Sequence, residues 1–165
     1  MIIKVKRATE LNEKFQKEGK KIGLITGCFD ILHIGHIKFF KEAKKKVDIL
    51  IVGLENDKTI ELSKGVGRPV NTLRDRAEQL EELKSVDYVF VIEDVYCFGS
   101  EDANEIHERI WKYLHPDFIL STFSKDLYLD IKEKRAKELE IGFIKIDIVK
   151  DTSSSEILKK LVDTE

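Results

Sequence analysis

Short, uninterrupted apolar runs alternate along the chain with segments in which apolar residues recur every three or four positions. The runs are rich in β-branched residues and mostly lack polar alternation, which is typical of strands covered on both faces. They are Ile22–Thr26, Ile49–Leu54, Tyr88–Ile92, Phe118–Leu120 and Ile141–Ile148. This pattern predicts an α/β fold with a parallel sheet of about five strands.

Three amphipathic stripes lie between these runs, and each predicts a helix with one buried face. Their members are Ile37, Phe40, Ala43 and Val47; Leu73, Ala77, Leu80 and Leu83; and Ala103, Ile106, Ile110, Trp111 and Leu114. Because crossovers between parallel strands are right-handed, we expect a Rossmann-like, doubly wound sheet with helices on both faces. A ligand crevice is expected at the carboxyl ends of its strands.

Local signals mark where helices begin and end. Thr72 with Asp75, and Ser153 with Glu156, have the spacing in which a hydroxyl and a carboxylate complete a helix start. Pro116 is expected to end the helix that contains Trp111.

The length of 165 residues favours one domain, because it supplies a single core but not two. Residues 1–20 are interpreted as an N-terminal helical extension packed outside the sheet, and residues 21–165 as the core. Ala8, Leu11 and Phe15 would form the buried face of that extension.

Composition excludes several classes of protein. No segment approaches the apolar length of a membrane span or a signal peptide, so we expect a cytoplasmic protein without a membrane partner. The 29 basic and 31 acidic residues give a net charge of -2, which argues against unspecific nucleic-acid binding. The two cysteines, Cys28 and Cys97, have neither a disulfide framework nor zinc-site spacing.

The first predicted strand leads into the segment that carries candidate chemistry, Gly27-Cys28-Phe29-Asp30-Ile31-Leu32-His33-Ile34-Gly35-His36. It places two imidazoles three residues apart at the start of a predicted helix, where the positive end of the helix dipole favours anions. Gly35 between them would let backbone and phosphate approach closely.

Paired N–H donors at such a position suit nucleotidyl transfer. An acceptor phosphate oxygen attacks the α-phosphorus of a nucleoside triphosphate, and negative charge grows on the surrounding oxygens. The reaction needs positioned donors rather than a protein nucleophile. His33, His36, helix-end amides and mobile basic side chains would supply them, with Mg²⁺ bridging the phosphates.

Other interpretations of this segment were weighed. A metal site built on His33 and His36 lacks a third ligand cluster and gives Gly35 no role, and the two histidines could also be incidental to a plain helix start. A nicotinamide-dependent oxidoreductase would carry G-x-G-x-x-G after the first strand, and this chain does not. A non-catalytic nucleotide-binding or sensing module remains the main alternative, although mere binding requires no transition-state donors.

The segment resembles the G-x-F-D-x-x-H-x-G-H signature of the cytidylyltransferase-like nucleotidyltransferases. The matching residues are Gly27, Phe29, Asp30, His33, Gly35 and His36. Cys28 stands where that family commonly has a small residue, so its implied contribution is a backbone N–H and compact size. The last four letters are also shared with class I aminoacyl-tRNA synthetases, but 165 residues leave no room for an anticodon-binding domain.

The resemblance extends from about Lys21 to Leu161. The stretch from Lys64 to Asn71, followed by Arg76, is similar to ADP-heptose-forming adenylyltransferase modules and to glycerol-3-phosphate cytidylyltransferases. It implies that Lys64 reaches the phosphates from a flexible loop and that Arg76 projects toward the site. A later match implies that Ser153, Ser154 and Ser155 bind the β and γ phosphates.

The resemblance therefore implies a Mg²⁺-dependent nucleotidyltransferase that acts on a phosphorylated sugar, polyol or flavin. ATP is favoured over CTP because the segment from Arg68 to Asn71 is closer to the adenylyl-transferring members. A homodimer is the form that the resemblance implies. The chain departs from the family after the fourth strand, where Ser121–Asp126 replaces K-G-G-D-Y, and before the serines, where Lys150 stands near the position of an arginine.

Overall fold

The computed structural model describes residues 2–123 and 126–147. Within them, six parallel strands form one sheet in the order β1-β4-β3-β2-β5-β6. The strands are β1 (Ile2–Ile3), β2 (Ile22–Gly27), β3 (Ile49–Glu55), β4 (Tyr88–Ile92), β5 (Phe118–Thr122) and β6 (Gly142–Ile146). The five predicted strands are all present, and the two-residue strand β1 adds a sixth beside β4.

Six helices connect the strands: α1 (Val5–Lys17), α2 (Ile34–Lys44), α3 (Asp57–Lys64), α4 (Leu73–Glu81), α5 (Glu101–Leu114) and α6 (Leu129–Glu138). They cover both faces of the sheet, as the sequence predicts. Helices α1, α5 and α6 pack on one face around Trp111, and α2 and α4 pack on the other around Phe40 and Leu80.

The strand order places the ligand crevice. The chain builds outward from β2 through β3 to β4 and then returns to β5 on the other side of β2. Such a reversal opens a crevice beyond the carboxyl ends of the strands on either side of it, β2 and β5. The segment that follows β2 therefore lies where ligands bind in this class of sheet.

The predicted helix boundaries agree with the structure at two points. The Thr72 hydroxyl accepts from the N–H of Asp75 at 3.3 Å and begins α4. Helix α5 ends at Leu114, and His115 then adopts the left-handed conformation before Pro116. The predicted helix start at Ser153 and Glu156 lies outside the described residues.

The N-terminal helix α1 packs on the sheet itself. Ala8, Leu11 and Phe15 are buried in the core on the face that also contains Trp111. The side-chain amide of Asn12 donates to the Leu114 carbonyl at 2.8 Å, which ties α1 to the end of α5. In the part of the chain that the structure describes, no helix has the length and apolar character that crossing a bilayer requires.

Candidate active site

The two histidines of the segment after β2 lie face to face at the start of α2. Their ring centroids are 3.9 Å apart, and the ring planes differ by 28°. Both residues are half-buried, so the pair is neither enclosed in the core nor fully exposed to solvent. This arrangement places two imidazole edges at the crevice that the strand order predicts.

The backbone sets the orientation of His33. It is the N-cap of α2, and its Nδ1 accepts a hydrogen bond from the N–H of Gly35 at 3.1 Å. In the neutral ring the proton therefore resides on Nε2, which becomes the N–H donor. The sequence predicts that Gly35 brings its backbone toward phosphate, whereas in the structure the Gly35 amide is already bonded to the His33 ring.

Phe29 supports the histidine pair from below. Its backbone has φ 46°, an uncommon conformation for a bulky residue that turns the chain sharply after β2. Its ring is 8% exposed and meets the His36 ring edge-on at 5.4 Å. A Cβ on Gly27 would lie 3.0 Å from the same ring, which explains the need for glycine there. Phe29 and Gly27 thus shape the site without facing the crevice.

Asp30 connects this segment to the stretch before α4. Its carboxylate is nearly inaccessible and accepts from the N–H groups of Val70 and Asn71 and from the Arg68 guanidinium, at 2.7 to 3.1 Å. These bonds occupy the carboxylate oxygens. Asp30 therefore holds two loops together, and it gives Arg68 a counter-charge.

Arg76 does project toward the segment after β2, but its guanidinium is fully buried. It donates to the carbonyl oxygens of Cys28 at 2.6 Å, Glu55 at 2.9 Å and Asn71 at 3.1 Å, and to the Asp57 carboxylate at 2.7 Å. These bonds give Arg76 a structural role in addition to the place near the site that the resemblance implies. Arg76 joins the carboxyl ends of β2 and β3.

Lys64 is the last residue of α3 rather than part of a flexible loop. Its positive charge acts to lower the pKa of the Cys28 thiol, so the side chain lies near the segment after β2. Burial raises the pKa of Cys28 above its ordinary value, and the Lys64 charge only partly opposes this. Cys28 is therefore a protonated thiol at neutral pH, and Lys64 is the positive charge beside it.

The loop after β5 contains a second polar cluster at the same end of the sheet. Asp126 accepts from the Ser121 hydroxyl, from the Lys132 ammonium at 2.6 Å and from the N–H of Tyr128 at 2.9 Å. Burial acts to raise the pKa of Asp126, but Lys132 and the hydrogen bonds outweigh it and lower the pKa. This cluster joins the end of β5 to the residues that precede α6, near the position at which the chain departs from K-G-G-D-Y. Phe123, in the same loop, is largely exposed.

The described residues offer no group of three or more histidine, cysteine, aspartate or glutamate side chains arranged to hold a metal ion. Asp30 is occupied by Arg68 and backbone donors. The predicted phosphate ligands Ser153, Ser154 and Ser155 lie outside the described residues.

The structure contains a buried polar cluster close to the site that the sequence does not predict. Tyr96 donates its hydroxyl proton to the Glu55 carboxylate at 2.5 Å, and the same hydroxyl lies 3.0 Å from Nε2 of His107. His107 is expected from the sequence to be structural and without a partner pattern. No spacing in the sequence relates these residues, because they come from β3, from the connection after β4 and from α5.

Sequence comparison finds relatives that align with most of this chain. The sequence profile described as cytidylyltransferase-like matches residues 24–161. The FAD synthase of Thermococcus sibiricus is 39% identical over 156 residues, which cover 88% of this chain and 95% of that protein. The bifunctional protein HldE of Sulfurimonas denitrificans is 33% identical over 149 residues, but the chain spans only 28% of its length.

Solved structures of other proteins have a similar fold. A lipopolysaccharide core biosynthesis protein from Thermoplasma volcanium superposes with a TM-score of 0.60 at 27% identity, over 81% of this chain and 100% of that one. A pantoate-β-alanine ligase from Francisella tularensis superposes with a TM-score of 0.65 over 94% of this chain and 69% of that one; at 17% identity, it supports the fold alone. From its profile match and its relatives, the chain belongs to the cytidylyltransferase-like family.

Proposed function

We propose that the protein is a nucleotidyltransferase that moves AMP from ATP onto a phosphorylated small molecule and releases pyrophosphate. The observation that carries this proposal is the stacked pair His33 and His36 at the crevice, with the Lys64 ammonium at the same segment. These groups are cationic or are N–H donors. The Asp30 carboxylate and the Arg76 guanidinium, by contrast, are already paired with protein atoms.

In this mechanism a phosphate oxygen of the acceptor attacks the α-phosphorus of ATP. A new bond forms between that oxygen and the α-phosphorus, the bond from the α-phosphorus to the oxygen bridging the β-phosphorus breaks, and pyrophosphate leaves. The protein contributes no covalent intermediate. It lowers the barrier by holding donors where negative charge grows.

Each residue has a defined part in this reaction. Nε2–H of His33 and the stacked His36 ring donate to the oxygens of the transferring phosphoryl group. Lys64 neutralises charge on the phosphates. A Mg²⁺ ion bound with the triphosphate would supply further positive charge there. Asp30 and Arg76 act indirectly, since they hold the loop that orients the histidines.

We infer ATP rather than CTP as the donor, and a flavin phosphate as the first acceptor to test. The relative named FAD synthase aligns over nearly its whole length, and FAD contains an adenylyl group. The alignment with bifunctional HldE covers less than a third of that protein. Sugar and polyol phosphates are the other acceptors that the proposal includes.

The test is a matrix of donors and acceptors. ATP and CTP are each incubated with the protein, Mg²⁺ and flavin mononucleotide, a heptose phosphate or glycerol phosphate, and pyrophosphate release is measured. The proposal expects release from ATP that depends on one of these acceptors. Absence of release from every pair, while circular dichroism shows a folded protein, would reject catalysis. Saturable ATP binding without turnover would instead identify a sensing module.

A further inference from the structure

The connection between β4 and α5, residues 93–100, is fastened to α3 along the whole length of that helix. At the start of α3, the Asn56 side chain donates to the carbonyl oxygens of Ile92 at 2.9 Å and Asp94 at 2.7 Å. In the first turn, the Thr59 hydroxyl donates to the Asp94 carbonyl at 3.2 Å. We call residues 93–100 the β4–α5 connector.

The far end of α3 is held by the same connector. The N–H of Phe98 donates to the Ser63 hydroxyl at 2.9 Å. Ser63 immediately precedes Lys64, the last residue of α3, whose charge acts to lower the pKa of the Cys28 thiol. The position of the connector is therefore transmitted to the residue from which Lys64 extends.

The connector is anchored in turn by the buried cluster of Glu55, Tyr96 and His107. Tyr96 is 3% exposed, and its hydroxyl proton is committed to the Glu55 carboxylate. The bond between this hydroxyl and His107 must then have Nε2–H of His107 as its donor, because a phenol carries one proton. Hydrogen-bond donation therefore runs in one direction, from His107 in α5 to Tyr96 in the connector and from Tyr96 to Glu55 at the end of β3.

The cluster adjoins the candidate active site at Glu55. Gly27 and Leu54 are paired in the register of β2 and β3, so the residues that follow them, Cys28 and Glu55, lie side by side at the carboxyl ends of these strands. Arg76 joins the carbonyl oxygens of these two residues. The carboxyl ends of β2 and β3 therefore lie beside the histidine segment, Lys64 and the cluster.

We propose that Tyr96 is a positioning residue, which holds the β4–α5 connector against α3 and so sets the reach of Lys64 to the segment that contains His33 and His36. Tyr96 is too buried to touch a substrate, and its hydroxyl is used by Glu55 and His107. The role of Lys64 on phosphates rests on the proposed function. The placement of Lys64 beside Cys28 does not, and it can be measured separately.

The thiol of Cys28 reports where Lys64 lies. Burial raises its pKa, Lys64 lowers it, and the Glu55 charge raises it. In a Cys97→Ser background, the pH dependence of Cys28 alkylation by iodoacetamide gives the pH midpoint of thiolate formation, read by mass spectrometry. Lys64→Met should move this midpoint upward by about half a pH unit, a loss of about threefold in rate at a fixed pH below the midpoint.

The inference expects Tyr96→Phe and Ser63→Ala each to reproduce a large part of the Lys64→Met shift. Loss of the Tyr96 hydroxyl also leaves the Glu55 charge less shielded, which itself raises the pKa of Cys28, so the shift is also measured in a Lys64→Met background. Tyr96→Phe should add no further shift there, and a further shift would overturn the inference. Tyr113→Phe is the matched control, because Tyr113 is an exposed tyrosine of α5 outside the cluster. It should leave the midpoint unchanged.

Enzyme kinetics provide a second readout. Tyr96→Phe should lower kcat about tenfold with a much smaller change in the KM for the acceptor, because a 1 Å error in a positioned group costs rate rather than acceptor binding. A lower thermal stability with an unchanged midpoint and unchanged kcat would overturn the inference, as would a midpoint that fails to respond to Lys64→Met. If the wild-type protein releases no pyrophosphate but Tyr96→Phe shifts the midpoint, the positioning role stands and the proposed function falls.

Discussion

The burial of Arg76 leads to a strong prediction about stability. Its guanidinium is fully inaccessible and is the hydrogen-bond donor to three backbone carbonyls and one carboxylate. Arg76→Met keeps much of the side-chain volume and removes every one of these donors. The carbonyl oxygens of Cys28, Glu55 and Asn71 then lose a partner in the interior.

The magnitude follows from these bonds. A buried acceptor left without its donor costs about 1 to 3 kcal/mol. The Asp57 side chain is 45% exposed, so its ion pair with Arg76 is discounted for solvent screening. Taking the lower bound for each of three carbonyls and a small term for Asp57, we expect a loss of about 4 kcal/mol. For a domain of this size that corresponds to a fall of about 10 °C in Tm.

The assay is urea unfolding followed by circular dichroism, with Arg74→Met as the matched control. Arg74 lies on the same helix, and its side chain is 85% exposed beside Glu78. The control should unfold like the wild-type protein. If Arg76→Met and Arg74→Met unfolded at the same urea concentration with the same slope, Arg76 would not join β2 to β3 as described.

Three further predictions concern other parts of the site. Asp126 has a lowered pKa in the folded state, so its contribution to stability is fully present above the pKa of an unfolded aspartate and is lost as the pH falls through the folded pKa. Asp126→Asn should therefore flatten the decline in unfolding free energy below about pH 5, measured by urea unfolding, and leave the slope above it unchanged. Iodoacetamide at neutral pH should label the exposed Cys97 much faster than Cys28, whose pKa is raised by burial, and equal labelling by mass spectrometry would contradict the buried position. Gly27→Ala should displace the ring that supports His36 and lower kcat about tenfold while the protein remains folded by circular dichroism; an unchanged kcat would show that the ring can yield without moving the histidine.

The strands could be predicted because they are buried on both faces and therefore form continuous apolar runs. Helices α3 and α6 could not, since neither carries an apolar stripe. Only Thr59 and Ile60 are buried in α3, and only Arg135 and Ala136 in α6. The N-terminal strand β1 has only two residues, which are too few to show a periodic pattern of apolar positions.

The location of the candidate site could be predicted from one segment, but the parts played by its residues could not. Local spacing places His33 and His36 at a helix start. Whether Arg76 faces solvent, phosphate or carbonyl oxygens depends on loops distant in sequence, and a single basic residue in an amphipathic helix gives no sign of them. The same limit hides the partners of His107, which come from β3 and from the β4–α5 connector.

The central claim is that the stacked imidazoles donate to the phosphoryl group during transfer. The direct test is kcat for His33→Asn and His36→Asn, because asparagine retains polarity and the capping ability that His33 needs at the start of α2. His115→Asn, at an exposed position in the left-handed conformation that asparagine tolerates, is the control. The account predicts a fall of about 100- to 1,000-fold in kcat for each site variant, with little change in the KM for ATP and none in the control. A kcat within about threefold of the wild-type value for both variants would contradict it.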